Sequence, residues 1–146
     1  ISIPHRKARL TDMFADHDAE DREEAERLLE FVGLFEKRLL MGGDLSFGQQ
    51  KLLEFAMALM NEPEILLLDE PTAGINPTLI NGLIDRLKRA NTEFGITLFV
   101  IEHNMRVIMN MADTIYCLAH GEFLAKGTPS KIQNDQRVID AYLGAH

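Results

Sequence analysis

Two short apolar runs, EILLLD at residues 64–69 and ITLFVI at residues 96–101, bracket a stretch of helical period. Nothing else in the chain narrows the fold as much. Pro63 and Pro71 bound the first run, and apolar runs this short without polar alternation suit strands buried on both faces of a sheet. Between them, Asn76 followed by Pro77 reads as a helix cap and first turn. Ile80, Leu83, Ile84 and Leu87 supply one stripe, and Gly95 closes the pattern. Strand, helix and strand of these lengths make a βαβ unit, so the two strands are expected to be parallel with a right-handed crossover. The fold class is α/β.

A helical segment comes first. Ala25, Leu28, Leu29 and Val32 fall at i, i+3, i+4 and i+7, which predicts a helix over 19–32 capped by Asp18 and stopped by Gly33. A second helix is expected over 47–60, its apolar face made by Leu52, Leu53, Phe55, Ala56, Leu59 and Met60. Past the βαβ unit, Asn104 can cap a short helix to residue 111, and residues 114–119 read as a third strand. His120-Gly121 turns that strand into a partner at 122–125. Thr128-Pro129 opens a final pair of short helices ending near Leu143.

No apolar run approaches the length of a bilayer-spanning helix. The single cysteine, Cys117, excludes an internal disulfide framework and suits a reducing compartment. The five histidines show no zinc-ligand spacing with it. A net charge of −8 argues against nucleic acid as a partner held on a broad basic surface. The acidity is concentrated in residues 12–36, where Asp12, Asp16, Asp18, Glu20, Asp21, Glu23, Glu24, Glu26, Glu30 and Glu36 face only Arg22 and Arg27. That pattern reads as a solvated helix face, with a binding patch as the alternative.

The stretch GGDLSFGQQ, residues 42–50, approaches a phosphate-binding P-loop and misses it. Gly43, four residues and Gly48 are followed by Gln49 and Gln50, so both the lysine and the magnesium-binding hydroxyl of G-x-x-x-x-G-K-[ST] are lacking. Ser46 with Gln49 three residues on is a capping box, a common structural device. Gly48 is the unusual residue, since glycine in a first helical turn costs roughly 1 kcal/mol against alanine. A helix start without a side chain there also leaves backbone N–H groups open to an anion. On the residues alone, helix cap and anion site both stand.

In ILLLDEP, Asp69 and Glu70 stand at the carboxyl end of a predicted buried strand, where ligands gather in α/β sheets. A loop entering solvent is the plainer alternative, but buried neighbours make paired charges expensive unless a cation or a substrate proton offsets them. With magnesium, one carboxylate would hold the ion's water shell. The other would orient and deprotonate an attacking water. His103 follows the second apolar run by two residues. It reads as a surface or capping residue, or as a hydrogen-bond donor to a phosphoryl oxygen, since parallel pairing would put it at the same sheet edge as the carboxylates.

These stretches, in this order, resemble the C-terminal half of an ABC-type ATPase domain. LSFGQ (residues 45–49) resembles the signature motif, usually LSGGQ. ILLLDE resembles the Walker B strand with its catalytic glutamate, Ala73-Gly-Ile-Asn76 falls at the D-loop and His103 at the switch histidine. The resemblance spans roughly Ala25 to the C-terminus. It implies that Asp69 binds Mg2+ through water, Glu70 is the general base and His103 contacts the γ-phosphate. Ser46, Phe47, Gly48 and Gln49 would clamp the γ-phosphate of an ATP bound by the opposite protomer, and Asn76 would make the D-loop contact across the dimer. Phe47 departs from the usual glycine and Asn76 from the usual aspartate. The closing stretch, with VIDAYLG at residues 138–144, is similar to branched-chain amino acid importers, and urea and amide importers end alike.

No G-x-x-x-x-G-K-[ST] occurs in the chain, and it opens at Ile1 in a polar segment. The expectation is the back part of a longer ATPase, with the P-loop strand absent. Residues 1–62 would be part of the helical subdomain ending in the signature helix, and residues 63–146 part of the ATPase core. Family topology would set the missing strand between the runs at 96–101 and 114–119, leaving two open edges. The resemblance further implies a second ATPase protomer and membrane permease subunits as partners, a periplasmic binding protein indirectly, and a place on the cytoplasmic face of the membrane. The alternatives are a soluble non-transport ABC ATPase and a non-catalytic half-domain used for dimerisation.

Overall fold

In the computed structural model, residues 19–142 are described, and they follow the order helix, helix, strand, helix, strand, helix, strand, strand, helix, helix. The chain divides into two compact units, Ile1–Val100 and Ile101–His146.

The first unit begins with α1 (Ala19–Phe31), two 3₁₀ turns (Phe35–Lys37 and Gly42–Asp44) and α2 (Phe47–Leu59). α1 buries Ala25, Leu28 and Leu29, with Val32 just beyond it, against Phe55, Ala56 and Leu59 of α2. Each buried leucine contributes roughly 1.5–3 kcal/mol. The outer face of α1 carries the acids, and Arg22–Glu26 and Arg27–Glu24 pair along it at 3.5 and 2.6 Å. Gly33, at φ +75, ends the helix in the left-handed conformation that suits glycine. The acidic stretch is thus a solvated helix face over the described residues; Asp12, Asp16 and Asp18 lie outside them.

β1 (Ile65–Asp69), α3 (Pro77–Phe94) and β2 (Thr97–Ile101) follow. Asn76 caps α3 by accepting from the Thr78 amide, with Pro77 in the first turn, and Gly95 terminates it at φ +70. β1 and β2 pair in a two-stranded sheet. The Thr97 N–H donates to the Glu64 carbonyl at 2.9 Å, setting the two strand starts side by side, so the strands run parallel. Leu83, Ile84, Leu87 and Ala90 form the buried stripe of α3. Around Phe31 sit Phe94, with ring centroids 5.0 Å apart, and Phe55 at 6.4 Å.

One expectation is corrected. The strands are not buried on both faces: alternate residues point outward, and Ile65 is 61% exposed, Leu67 73%, Phe99 55% and Ile101 56%. The sheet face that carries these side chains is open among the described residues.

The second unit holds α4 (Met105–Met111), the hairpin β3 (Ile115–Ala119) and β4 (Glu122–Gly127), and the short helices α5 (Pro129–Gln133) and α6 (Gln136–Tyr142). β3 and β4 are antiparallel, with Ala119 opposite Glu122 and a register shift between Cys117 and Leu118. His120 and Gly121, at φ +52 and +80, make the tight turn. Ile108, Ile115, Cys117, Ala125, Ile132 and Val138 form this unit's core. Burial pushes the Cys117 thiol up from its ordinary value, which suits a packing residue better than a nucleophile. The Tyr142 hydroxyl donates to the Leu118 carbonyl and ties α6 to β3. β1–β2 and β3–β4 are separate sheets among the described residues.

Candidate functional site

Residues 42–50 fold as the 3₁₀ turn Gly42–Asp44 followed directly by α2. Ser46 is the N-cap in extended geometry. Its Oγ accepts from the Gln49 amide at 3.4 Å, and the Gln49 Oε1 accepts from the Ser46 amide at 3.0 Å, closing a reciprocal capping box. Gln50, to which sequence reasoning gave no role, braces the turn: its Nε2 donates to the carbonyls of Gly42 at 3.3 Å and Leu45 at 3.1 Å. The Gln50 amide donates to the Ser46 carbonyl at 2.9 Å. The helix-start amides without an intrahelical acceptor are therefore those of Phe47 and Gly48. No acid occupies the first turn, so the positive end of the helix dipole is left unneutralised there.

Gly48 has room around it. A Cβ would meet Leu79 Cδ1 at 3.6 Å and Ile75 Cγ2 at 3.9 Å, ordinary contacts, and the residue's φ is not left-handed. Neither packing nor backbone geometry demands glycine at this position.

Asp69 is the last residue of β1, and both it and Glu70 are exposed. Glu70 has φ +45. Among the described residues, three non-glycine positions take positive φ: Glu62, Glu70 and His120. Glu62 leaves a helix and His120 makes a hairpin turn, places where such geometry is usual. Glu70 instead follows a strand directly, where holding it left-handed costs roughly 1–3 kcal/mol. The turn it opens is tightly bonded: the Ala73 amide donates to the Glu70 carbonyl at 3.0 Å and the Ile75 amide to the Thr72 carbonyl at 3.2 Å. Thr72 and Ile75 are buried, and Gly74 supplies a left-handed φ of +71. Asn76 closes the turn, its Oδ1 accepting from the Thr78 amide at 3.0 Å and the Thr78 hydroxyl at 2.9 Å.

The structure brings the 46–49 turn and the 70–76 turn together. Gly48 lies against Ile75 and Leu79, and the Phe47 ring lies on Gly74. This second contact was not foreseen, since nothing in spacing or periodicity links positions 47 and 74. His103 belongs to the second unit, two residues past β2 and exposed. Beside it the Asn104 amide donates to Glu102 Oε2 at 3.2 Å, while Asn104 Oδ1 caps α4 by accepting from the Val107 amide at 3.4 Å.

The donor set fits an anion at the α2 N-terminus: two bare amides, a hydroxyl and no acid in the first turn. Among the described residues no group of three or more His, Cys, Asp or Glu side chains is placed to hold a metal ion. Asp69 offers one carboxylate at a strand end. That fits magnesium, which keeps much of its water shell and takes the rest of its ligands from phosphate oxygens.

Comparison with known proteins bears on the family and the fold. A family model described as ABC transporter matches residues 2–73, and one described as branched-chain amino acid ATP-binding cassette transporter matches residues 124–146. The first match begins well before Ala25. The chain is 38% identical over 134 residues to the high-affinity branched-chain amino acid transport ATP-binding protein LivG of Escherichia coli (strain K12), covering 92% of the chain and 52% of that relative. It is 40% identical over 134 residues to the corresponding protein BraF of Pseudomonas aeruginosa, with the same coverage of 92% and 52%. Among solved structures it is similar to an ABC transporter's ATP-binding cassette in its ADP conformation, with a TM-score of 0.78 and 30% identity over 97% of this chain and 58% of that one. A nucleotide-free cassette from an ABC transporter gives 0.76 and 29%, over 95% and 57%. The chain spans about half the length of the curated relatives it matches.

Proposed function

This chain belongs to the ABC transporter family of ATP-binding cassettes, and from that premise we propose that it is the signature and Walker B half of an importer's ATP-hydrolysing subunit. In this reading residues 1–62 belong to the helical subdomain and residues 63–146 to the ATPase core. The other half supplies the P-loop. The observation that carries the reading is Glu70: a carboxylate beside Asp69, held in left-handed backbone at the end of β1, at the head of a turn that packs on the α2 N-terminus.

ATP is the substrate: the oxygen of a water bonds to the γ-phosphorus as the bond from that phosphorus to the bridging oxygen breaks, and ADP leaves. Glu70 orients the attacking water and takes its proton; Asp69 would hold magnesium through water, and the ion would offset the charge of the phosphates. Ser46 and the amides of Phe47 and Gly48 donate to phosphate oxygens of a nucleotide bound by a second protomer, with Gln49 fixing Ser46 in place through the capping box. His103 donates to the γ-phosphate, and Asn76 makes the contact across the dimer.

The relatives' names support branched-chain amino acids as cargo, with urea or an amide as the alternative. A second ATPase protomer and membrane permease subunits are the direct partners, a periplasmic binding protein is an indirect one, and nucleic acid is not a partner. The subunit sits on the cytoplasmic face of the membrane. Among the described residues no helix is long and apolar enough to cross a membrane.

The test is Glu70→Gln in the complete subunit. Steady-state ATP turnover should fall roughly 10²–10⁴-fold, the usual worth of a general base, while equilibrium ATP binding persists. Undiminished turnover would remove Glu70 from the chemistry and the reading with it.

A further inference from the structure

Phe47 is placed where a core residue would not be. It opens α2, the residue is 53% exposed, and a helix start has no requirement for an aromatic there. What the ring touches is Gly74. A Cβ built on Gly74 would lie 2.9 Å from Phe47 Cε1, 3.5 Å from Cδ1 and 3.6 Å from Cζ, so the ring occupies the space that any other residue's side chain would take. Gly74 is left-handed at φ +71, which already favours glycine. Ring and bare Cα are thus a matched pair. Lys51, one turn further along α2, holds its ammonium 5.7 Å from the ring centroid, a weak cation–π contact on the same side of the helix.

The consequence lies in what the two turns carry. Ser46, Gly48 and the open amides stand on one side of the contact. On the other, the 70–76 turn runs from Glu70 to Asn76, pinned by the Ala73–Glu70 and Ile75–Thr72 hydrogen bonds. We propose that Phe47 is a positioning residue: its ring, seated on Gly74, fastens the 70–76 turn to the N-terminus of α2, so that Glu70 keeps its place relative to the phosphate-clamping turn of its own protomer. In this role the Phe47 ring, seated on Gly74, touches neither nucleotide nor water; only the residue's backbone amide, which substitutions at this position keep, faces the phosphate. The catalytic part of the inference rests on the function proposed above for Glu70, while the fastening itself does not.

Two measurements separate those layers. Amide hydrogen exchange at Ala73 and Ile75 reads the fastening without any activity: Phe47→Ala should speed exchange at both by about tenfold, and Phe47→Tyr, which keeps the ring, should leave it within about twofold of the parent. ATP turnover in the complete subunit reads the consequence. Phe47→Ala should lower kcat about tenfold or more, as misplacement of a catalytic group does, with KM for ATP within about twofold and with Tyr restoring the rate. Gly74→Ala drives the ring off its seat and should act in the same direction. The double variant Phe47→Ala/Gly74→Ala should be no worse than the poorer single, since the two act through one contact. If Phe47→Ala fails to fold, Gly74→Ala and Phe47→Tyr carry the same comparison. Unchanged exchange in Phe47→Ala overturns the fastening. A raised KM with kcat unchanged, or fully additive losses, overturns the positioning role. Altered exchange and lost kcat in Phe47→Ala beside an undiminished Glu70→Gln would instead strike the proposed function while leaving the fastening in place.

Discussion

Gly48 shows what a single residue can be asked. An added methyl would meet only Leu79 and Ile75 at ordinary distances, and the backbone there is not left-handed. Gly48→Ala should therefore keep or slightly raise stability, by up to about 1 kcal/mol, the helix-propensity gain of alanine over glycine. If the glycine keeps the helix start open to an anion, the same variant should weaken the phosphate clamp and lower turnover severalfold. Urea unfolding and turnover measured side by side check the split; a loss of stability would mean that packing, not ligand approach, had selected the glycine. The cap at Ser46 was legible in the sequence because a capping box is a local pattern, and it formed as read. The Phe47–Gly74 contact was not legible, because it joins positions 27 apart through a turn whose shape follows from the left-handed backbone at Glu70 and Gly74. Glu70 carried a chemical signal in its neighbours but none for its backbone.

At the scale of elements the sequence was generous. Asn76-Pro77, Gly95 and Asn104 each set a helix boundary where the residue chemistry put it, since caps and stops depend on a few adjacent residues. The burial of the strands was misjudged because an apolar run records which faces a strand is built to bury, and the covering layer must come from elsewhere. Two glycines with nearly equal backbone geometry offer a controlled test of helix ends. Gly33 and Gly95 have φ +75 and +70, yet a Cβ at Gly33 would lie 2.7 Å from Arg86 Nη2 and one at Gly95 would meet nothing within 4 Å. A retreat of Arg86 would strain the bond that its Nη1 donates to the Gly82 carbonyl at 2.9 Å. Gly95→Ala should cost about 1 kcal/mol from the backbone alone, and Gly33→Ala measurably more. Equal shifts in urea midpoint, with unchanged m values, would mean that the Arg86 contact yields without cost.

For the whole molecule, the family and the α/β class were readable from four motifs in order, because each is fixed by local chemistry. The described residues hold two separate two-stranded sheets, and Ile65, Leu67, Phe99 and Ile101 on one and Tyr116, Leu118 and Phe123 on the other are all more than half exposed. Apolar sheet faces this open are surfaces that further strands or a partner would cover. On the function proposed here, Glu70 works only in a cassette that also holds a P-loop. The direct measurement is ATP turnover by this chain alone, by the chain joined to the P-loop half of a relative such as LivG, and by the joined protein with Glu70→Gln. No turnover is expected from the first, turnover from the second and its loss in the third. Glu70-dependent turnover by the chain alone, or turnover in the joined protein indifferent to Glu70→Gln, would contradict the proposed function.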